Sequence, residues 1–350
     1  MKNKQALSSI TPMNLSFKYY ELKLLHTFTI SRSSKSVEPS VIVELEHNGI
    51  IGYGEAAPSE RYGETPETVM NFLRNVNLKS FDEPFQLDEI LTYVHNLAPG
   101  NTSVKAAIDI ALHDWIGKKL QIPLWKMWGL SKEKTPLTSF TIGIDSLDVI
   151  EKKVREAEQY PILKVKVGIP NDEEIIKTIR KITDKVIRVD ANEGWKIKEE
   201  ARDKILWLEE QGVEFIEQPM PSSQIDDTAW LREQVHIPIL ADENIINVYD
   251  IPKLYGAFDG INIKLMKCTG LREAMRMIHT AKAAGMKVML GCMIESSIGI
   301  SAAAQLSPMV DYADLDGNIL ISNDPFSGTK VIDGKLVLND EPGIGVSKKK

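Results

Sequence analysis

The stretch that decides the fold starts at residue 138, where TSFTIG (138–143) is followed by ILKVKVG (162–168), VIRVD (186–190) and VEFIEQ (213–218). Four similar segments follow: IPILAD (237–242), GINIKL (260–265), KVMLG (287–291) and YADLD (312–316). Each segment is short and rich in β-branched residues, and an amphipathic, helix-patterned segment separates it from the next. The repeat of about 25 residues is close to the length of one β/α unit. Eight such units predict a closed (β/α) barrel.

The same series argues against a doubly wound sheet. Such a sheet reverses its strand order at a switch point and usually carries a glycine-rich turn that binds phosphate. No G-x-G-x-x-G motif follows the first strand of the series. We therefore predict an α/β protein whose barrel occupies residues 131–317.

The residues before the barrel predict a smaller domain, at 1–130. LSFKYYELKL (15–24) and SVIVELEHNGIIGYGE (40–55) alternate apolar and polar residues as strands do, and EHNG is typical of a hairpin turn. From residue 65 to residue 129 the apolar spacing is helical, most clearly in TSVKAAIDIALHDWIGKKL (102–120). The serine-rich segment at about 24–39 predicts a mobile lid loop. Residues 318–350 look like strand and turn, and we expect them to pack back on this first domain.

Composition excludes several classes of protein. Of 350 residues, 43% are apolar and 26% charged, which is typical of a globular chain. The net charge of -7 and the lack of a long basic stripe argue against a nucleic-acid partner. No apolar run reaches membrane-helix length, and the N-terminal residues lack the apolar core of a signal peptide. Cys268 and Cys292 have no CxxC spacing, as expected in a reducing compartment. We therefore expect a cytoplasmic protein with a small-molecule substrate, and leave homo-oligomerisation open.

Three acidic residues close three consecutive strands. Asp190 ends VIRVD, Glu217 comes near the end of VEFIEQ, and Asp242 ends IPILAD. The carboxyl ends of barrel strands meet at one mouth, where the active sites of such barrels lie. Three carboxylates at close range need a compensating cation, and an all-oxygen set suits Mg²⁺ or Mn²⁺ better than zinc. The alternative is that each carboxylate caps a helix or pairs with a nearby lysine.

Lysines stand on both sides of these carboxylates in the strand series. Lys164 and Lys166 share one face of ILKVKVG, because side chains alternate along a strand, and Lys264 lies in GINIKL. Mutual repulsion and a nearby divalent ion predict a lowered lysine pKa and a free amine that can act as a base. The alternative is an ion-pair lattice that only neutralises the acids. We expect Lys267, three residues after Lys264, to lie in a loop outside the site.

Taken together, the motifs resemble one family. The matching segments are KVKVG (164–168), RVDANEGW (188–195), IEQP (216–219), ADEN (241–244) and INIKLMKCTG (261–270). They are similar to the muconate-lactonising subgroup of the enolase superfamily, and DLDG (314–317) resembles its dipeptide epimerases. GYGEAAP (52–58) and residues 106–129 resemble the capping domain of that family. The resemblance implies an enolase-type modified TIM barrel with an α+β capping domain at residues 1–130.

The resemblance also implies roles for individual residues. Asp190, Glu217 and Asp242 would bind Mg²⁺, with Mn²⁺ as the alternative, and Lys166 and Lys264 would be acid/base catalysts on opposite faces of the substrate. Asp314 and Asp316 would hold a substrate ammonium group, although an aspartate before glycine is also common in simple turns. The remaining substrate contacts implied are Thr141, Lys164, Cys292 and Ile294. For Glu295 the resemblance is equally compatible with a place at the edge of the pocket and with a structural role.

These roles imply epimerisation of an L-Ala-D/L-Xaa dipeptide at the α-carbon of its C-terminal residue, with murein peptide metabolism as a family-level expectation. Relatives that act on L-Ala-Glu carry an arginine in the capping-domain loop. An ungapped comparison places Ser33 at that position, beside Arg32. A hydrophobic C-terminal residue in the substrate is therefore an alternative to glutamate. The same metal site would also serve o-succinylbenzoate synthesis or muconate-type cycloisomerisation, but DLDG argues against both.

Alternatives from other classes explain fewer of the residues. A Schiff-base aldolase would use a barrel lysine such as Lys166 but would leave the three carboxylates without a role. A non-catalytic peptide-binding protein would bind without turnover, and a fold alone does not distinguish it from an enzyme.

Overall fold

The barrel contains eight parallel strands. The computed structural model describes residues 12–31 and 33–350. The barrel strands are β4 (Phe140–Ile142), β5 (Ile162–Lys166), β6 (Val186–Asp190), β7 (Val213–Glu217), β8 (Ile239–Ala241), β9 (Gly260–Lys264), β10 (Lys287–Gly291) and β11 (Tyr312–Asp314). They are hydrogen-bonded in the order of the chain, from β4 to β11. Thr138 forms a parallel bridge with Ala313, which brings the two edge strands together. The predicted barrel is confirmed.

Helices cover the outside of this sheet. They are α5 (Leu147–Glu156), α6 (Asp172–Arg180), α7 (Lys198–Glu210), α8 (Ile225–Arg232), α9 (Ile251–Leu254), α11 (Leu271–Ala283) and α12 (Ser297–Ala304), whereas the single turn α10 (Leu265–Cys268) follows β9 directly. Every residue of β5 and β9 is buried, because the helices cover one face of each strand and the barrel interior covers the other. This explains why the barrel strands read as nearly continuous apolar runs with polar residues concentrated at their ends.

The first domain joins an antiparallel sheet to a helical layer. Its strands are β1 (Asn14–Ile30), β2 (Ser33–His47) and β3 (Ile50–Ala56), and its helices are α1 (Pro66–Arg74), α2 (Leu87–Leu97), α3 (Thr102–Leu120) and α4 (Leu124–Met127). Helix α3 is buried continuously from Ser103 to Gly117, because it lies between this sheet and the barrel. Gly54 allows this contact, since a Cβ atom there would lie 1.9 Å from the backbone oxygen of Ala107.

The segment at about 24–39 is not the loop that its composition predicts, while its role as a mobile lid stays a prediction. Strands β1 and β2 continue through this segment as a hairpin, in which Phe28 pairs with Lys35 and Ile30 with Ser33. Threonine, isoleucine and serine alternate here on a ribbon with water on much of its surface, and cross-strand bonds satisfy the backbone. The ribbon is irregular between Lys23 and Phe28, where the register shifts. Arg32 lies outside the described residues.

The C-terminal segment contacts the first domain. It contains the short strands β12 (Phe326–Ser327), β13 (Lys330–Ile332), β14 (Lys335–Val337) and β15 (Ser347–Lys348). The hydroxyl of Tyr20 donates to the carbonyl of Asn323 at 2.7 Å, and the amide of Ile344 donates to Asp114 Oδ1 at 2.9 Å. With these contacts in support, we propose the division into residues 1–130, 131–317 and 318–350. Among the described helices, none combines the length and apolar character needed to cross a membrane.

Candidate active site

Three acidic side chains meet at the mouth of the barrel. Asp190 and Glu217 close β6 and β7 as register partners, and Asp242 follows β8 directly. One carboxylate oxygen from each residue lies within 4.8 Å of those of the other two, and all three side chains are buried. The strand ends place them side by side because adjacent parallel strands finish at the same edge of the sheet. The sequence prediction that these residues converge agrees with this geometry.

Lysines approach the acidic triad from both sides. From β5, Lys166 Nζ lies 2.6 Å from Asp190 Oδ2. From β9, Lys264 Nζ lies 2.8 Å from Asp242 Oδ2. Because β5 and β9 flank the three strands that carry or precede the acids, the two ammonium groups face each other across the triad. Each is nearly buried but lines the cavity described below.

Lys164 occupies the centre of this charge network. Its Nζ lies 2.6 Å from Glu217 Oε2, 3.1 Å from Asp190 Oδ2 and 2.6 Å from Asp314 Oδ2. Burial alone would lower the pKa of Lys164, yet these carboxylates raise it well above its ordinary value. The pKa of Lys264 is likewise raised, by Asp242 and Glu217 against the effect of burial. At these two residues nearby carboxylates outweigh repulsion between lysines. The expectation of a lowered lysine pKa included the charge of a bound divalent ion and stays a prediction.

The donor set fits a divalent metal ion. Burial, followed by the negative charge of Asp190, raises the pKa of Glu217 to about 7. At Glu217 burial and the charge of Asp190 thus outweigh the opposing charge of Lys164. Two further contacts orient the acids: Asn262 Nδ2 donates to Glu217 Oε1 at 2.7 Å, and the amide of Asn192 donates to Asp190 Oδ1 at 2.9 Å. Three oriented carboxylates without histidine or thiolate match the preference of Mg²⁺ and Mn²⁺.

Lys267 belongs to the site, against the expectation that it lies in a loop. It sits on the single turn of α10, is 1% exposed, and its Nζ lies 2.5 Å from both Oδ1 and the backbone oxygen of Asp242. Residues three apart share a face of a helix, so the chain turns Lys267 back towards the acids directly after Lys264. That spacing was the available signal, but it becomes informative only once a helical turn is known to follow β9.

The two aspartates of DLDG lie beside Lys164 at the end of β11. Asp314 accepts hydrogen bonds from Ser139 Oγ and Lys164 Nζ, both at 2.6 Å, and Asp316 Oδ2 accepts from the amide of Thr141 at 2.7 Å. Burial and the charge of Asp314 raise the pKa of Asp316 to about 6. Lys164, assisted by other contacts, holds the pKa of Asp314 below its ordinary value even though burial opposes this. Both side chains are buried and line the same cavity as the lysines.

The site opens into a cavity of ≈ 450 Å³ between the barrel and the first domain. Of the residues expected to contact substrate, all line it: Thr141, Lys164, Cys292, Ile294, Asp314 and Asp316. The hairpin of β1 and β2 contributes Phe28, Ile30, Ser33 and Lys35 to the opposite wall. Cys292 Sγ lies 3.3 Å from the carbonyl of Asp314, and burial raises the pKa of its thiol, which disfavours the thiolate form that a nucleophile needs.

Glu295 is a structural residue beneath this wall. It is 1% exposed, lies outside the cavity lining, and accepts a hydrogen bond from the amide of Met293 at 2.7 Å. Burial and the neighbouring Glu55 raise its pKa to about 8. Glu55 itself, which sequence reasoning missed, accepts from the amide and hydroxyl of Ser296 and from the amide of Gly299. It therefore caps helix α12 of the barrel from strand β3 of the first domain.

A second contact between the domains lies at the cavity rim. Arg61 Nη2 lies 2.9 Å from Oε1 and 2.8 Å from Oε2 of Glu193, and Glu193 Oε1 also accepts from the amide of Ser222 at 2.8 Å. Arg61 follows β3, whereas Glu193 and Ser222 lie on loops that follow β6 and β7. This pair ties the cavity wall of the first domain to the loops that follow the strands of Asp190 and Glu217. Sequence spacing alone gave no sign of it.

Comparisons with known proteins agree with this architecture. Residues 18–129 match the family model described as mandelate racemase / muconate lactonizing enzyme, N-terminal domain, and residues 149–350 match the model described as enolase C-terminal domain-like. The chain is 57% identical over 337 residues to an L-Ala-D/L-Glu epimerase of Bacteroides thetaiotaomicron, a match that covers 96% of this chain and 88% of the relative. It is 41% identical over 340 residues to an L-Ala-D/L-amino acid epimerase of Pedosphaera parvula, over 94% of this chain and 97% of the relative.

Solved structures show the same fold. A dipeptide epimerase from Cytophaga hutchinsonii, complexed with Mg and the dipeptide D-Ala-L-Val, matches with a TM-score of 0.91 at 28% identity, over 97% of each chain. A substrate-liganded L-Ala-D/L-Glu epimerase from Bacillus subtilis matches with a TM-score of 0.90 at 27% identity, over 96% of this chain and 98% of that one.

Proposed function

Because this chain belongs to the enolase superfamily, we propose that it is a dipeptide epimerase that inverts the α-carbon of the C-terminal residue in L-Ala-D/L-Xaa dipeptides. One observation carries the proposal: Lys166 and Lys264 face each other across a buried acidic triad, in a cavity that also contains the aspartates of DLDG. Two bases on opposite sides of one carbon are what inversion without a redox cofactor requires.

The resident metal is proposed to be Mg²⁺, with Mn²⁺ as an alternative, held by Asp190, Glu217 and Asp242. Oxygen-only ligands and the close approach of three buried carboxylates support this choice. When bound, such an ion supplies Lewis-acid stabilisation of the second negative charge that develops when a carbon next to a carboxylate loses its proton. Lys164 adds a fixed positive charge to the same region, which lowers the cost of that charge further.

Proton transfer is assigned to Lys166 and Lys264. The neutral amine of one lysine removes the α-proton, and the ammonium group of the other delivers a proton to the opposite face. The roles exchange in the reverse direction, so that each lysine starts from a different epimer. A positioned general base contributes roughly 10²- to 10⁴-fold to the rate. The buried setting of both groups, with the wall from the first domain over them, excludes bulk water from the reacting carbon.

The substrate is held at its two ends. Asp314 and Asp316 are proposed to hold the N-terminal ammonium group, with Thr141, Cys292 and Ile294 beside it. Glutamate is the C-terminal residue we propose first, on the strength of the relative from Bacteroides thetaiotaomicron. Ser33 replaces the arginine of the family pattern, but Lys35 lies two residues further along β2 and lines the same cavity wall. Its Nζ lies 3.0 Å from Glu38 Oε2, so a substrate carboxylate would compete with Glu38 for this ammonium group.

The two rival reactions on the same metal site fit the cavity less well. Muconate and the precursor of o-succinylbenzoate carry carboxylates but no ammonium group. The buried pair Asp314 and Asp316 would then face an anionic or neutral part of the substrate, with Lys164 at Asp314 as the compensating cation. Murein-derived peptides and a cytoplasmic location remain proposals. The free thiols of Cys268 and Cys292 support a reducing compartment.

Proton NMR in D₂O tests the proposal. L-Ala-L-Glu is incubated with the protein and Mg²⁺, and the α-proton of its glutamate is followed together with the signals of L-Ala-D-Glu. We expect exchange with inversion, lost on addition of EDTA. A panel of other L-Ala-L-Xaa dipeptides ranks the C-terminal preference. Binding of these dipeptides with no exchange in any of them would leave a peptide-binding protein and would overturn the assignment.

A further inference from the structure

A second cavity lies beside the active site. It has a volume of ≈ 190 Å³ and lies between the irregular part of β1, strand β4, helix α5 and the segment after β11. Much of its lining is apolar, with Leu24, Leu25, Phe140, Tyr160 and Ile319 among the contributors. The ring of Phe140 stacks on that of Tyr160 at 4.6 Å between centroids, which gives the cavity a flat aromatic side. No role in the reaction derived above uses this space.

Charged groups in this lining are paired with other protein groups. His26 Nε2 lies 3.1 Å from Glu156 Oε2, and Lys153 Nζ lies 3.1 Å from Asp145 Oδ2. The imidazole of His26 is half exposed, so that pair stands at the solvent edge of the cavity. An apolar group that entered between Leu24 and Tyr160 would bury apolar surface, and no charged side chain would lose its ion-pair partner.

A thin partition separates this cavity from the active site. Phe28, Thr141 and Leu320 line both cavities. The backbone that carries the partition is fixed, because the amide of Leu25 donates to the carbonyl of Leu320 and the amide of Ile144 donates to the carbonyl of Thr29, both at 2.9 Å. Side-chain atoms of Phe28 and Leu320 can therefore be removed to join the two spaces without moving the chain.

The partition stands next to the proposed ammonium site. The amide of Thr141 donates to Asp316 Oδ2 at 2.7 Å, and Thr141 also borders the second cavity. The α-carbon that carries the substrate ammonium group is one bond from its nitrogen. An ammonium group held at Asp316 therefore places the side chain of the N-terminal residue within reach of the partition.

We propose that Phe28 and Leu320 restrict the N-terminal residue of the substrate to a small side chain, and that the second cavity is a closed-off subsite for an apolar N-terminal side chain. The inference rests on the proposed function and extends it to the other half of the dipeptide. The volume is sufficient, since an apolar cavity of about 150 Å³ accommodates benzene. Truncation of either partition residue should let a leucine or phenylalanine side chain enter.

The test compares selectivity in matched pairs of variants. Phe28→Ala and Leu320→Ala open the partition, whereas Leu24→Ala and Ile319→Ala remove the same kind of atoms from the second cavity alone. The value of kcat/KM is measured for L-Ala-L-Glu, L-Leu-L-Glu and L-Phe-L-Glu. We expect the ratio of leucine to alanine substrate to rise at least about tenfold in the first pair, since one or more methylene groups in an apolar pocket are worth that much or more. In the second pair the ratio should stay within about twofold of the unmodified enzyme.

The possible outcomes distinguish a failure of the subsite proposal from a failure of the proposed function. An unmodified enzyme that turns over L-Ala-L-Glu, with unchanged ratios in both partition variants, would refute the subsite and leave the epimerase assignment in place. Equal gains in the control pair would also refute it, because general loosening would then be the cause. Phe28→Leu and Leu320→Val provide milder truncations if either alanine variant fails to fold, and the same ratio decides. If the unmodified enzyme acts on no dipeptide, the proposed function and the subsite both fall.

Discussion

Replacement of each catalytic lysine by arginine separates the role of a base from that of a charge. Arginine keeps the positive charge but is not deprotonated in proteins, so it cannot remove a proton. We expect Lys166→Arg and Lys264→Arg to lose epimerisation by roughly 10²- to 10⁴-fold, which corresponds to about 3 to 5 kcal/mol of barrier. The loss should be as large in Lys166→Ala and Lys264→Ala, because the proton transfer is lost in either case.

The structure predicts that all four variants fold. Removing one member of an isolated buried ion pair costs about 3 to 5 kcal/mol. Neither pair is isolated here: Asp190 keeps Lys164 at 3.1 Å when Lys166 is lost, and Asp242 keeps Lys267 at 2.5 Å when Lys264 is lost. The stability cost of either alanine variant should therefore be below that range. Urea unfolding measures it.

The assay follows each epimer separately in D₂O. A variant that lacks one lysine should still exchange the α-proton of the epimer that faces the remaining lysine, without inversion, and should exchange the other epimer far more slowly. Lys198→Arg, on the outer surface of α7, serves as the control and should behave like the unmodified enzyme. Epimerisation within tenfold of normal in either arginine variant would refute the two-base reasoning, and so would loss of exchange from both epimers in a variant that is fully folded.

Three further predictions concern metal binding, local order and pH. Glu217→Gln removes one charge from the triad and should weaken Mn²⁺ binding by at least about tenfold, as measured by electron paramagnetic resonance. Loss of a residue that only hydrogen-bonds to a metal ligand already lowers metal affinity 10- to 100-fold. Unchanged affinity would place the metal elsewhere. Lys267→Met removes two short contacts to Asp242 and should lower the free energy of unfolding by about 3 kcal/mol. Urea titrations without metal measure this loss. A loss under about 1 kcal/mol would show that Lys264 alone is enough to neutralise Asp242. Burial and Glu55 raise the pKa of Glu295 to about 8, so the folded state binds a proton that the unfolded state releases near pH 4.5. The contribution of Glu295 to stability should therefore be fully present below pH 4.5 and be lost as pH rises towards 8. Glu295→Gln should flatten that part of the profile, and an identical slope in the variant would contradict the assignment.

Much of the catalytic centre could be read from the sequence. Asp190, Glu217 and Lys264 each end a barrel strand, and Asp242 follows the next one directly. Local patterning marks those strands, and the geometry of a parallel barrel brings their ends to one mouth whatever the details of packing. Residues at such positions are therefore predictable as soon as the strand series is recognised. The same holds for the alternation that turns Lys164 and Lys166 to one face.

Other features depended on contacts between distant parts of the chain. Glu55 caps a helix that begins more than 240 residues later, and Phe28 forms one partition with Leu320. The segment at 24–39 became a hairpin because two strands pair across it, although its composition alone is that of a loop. Local periodicity in the sequence predicts where a residue lies within its own helix or strand. Burial, hydrogen-bond partners and the sign of a pKa shift arise only when separate elements pack together, so they were decided by the tertiary structure.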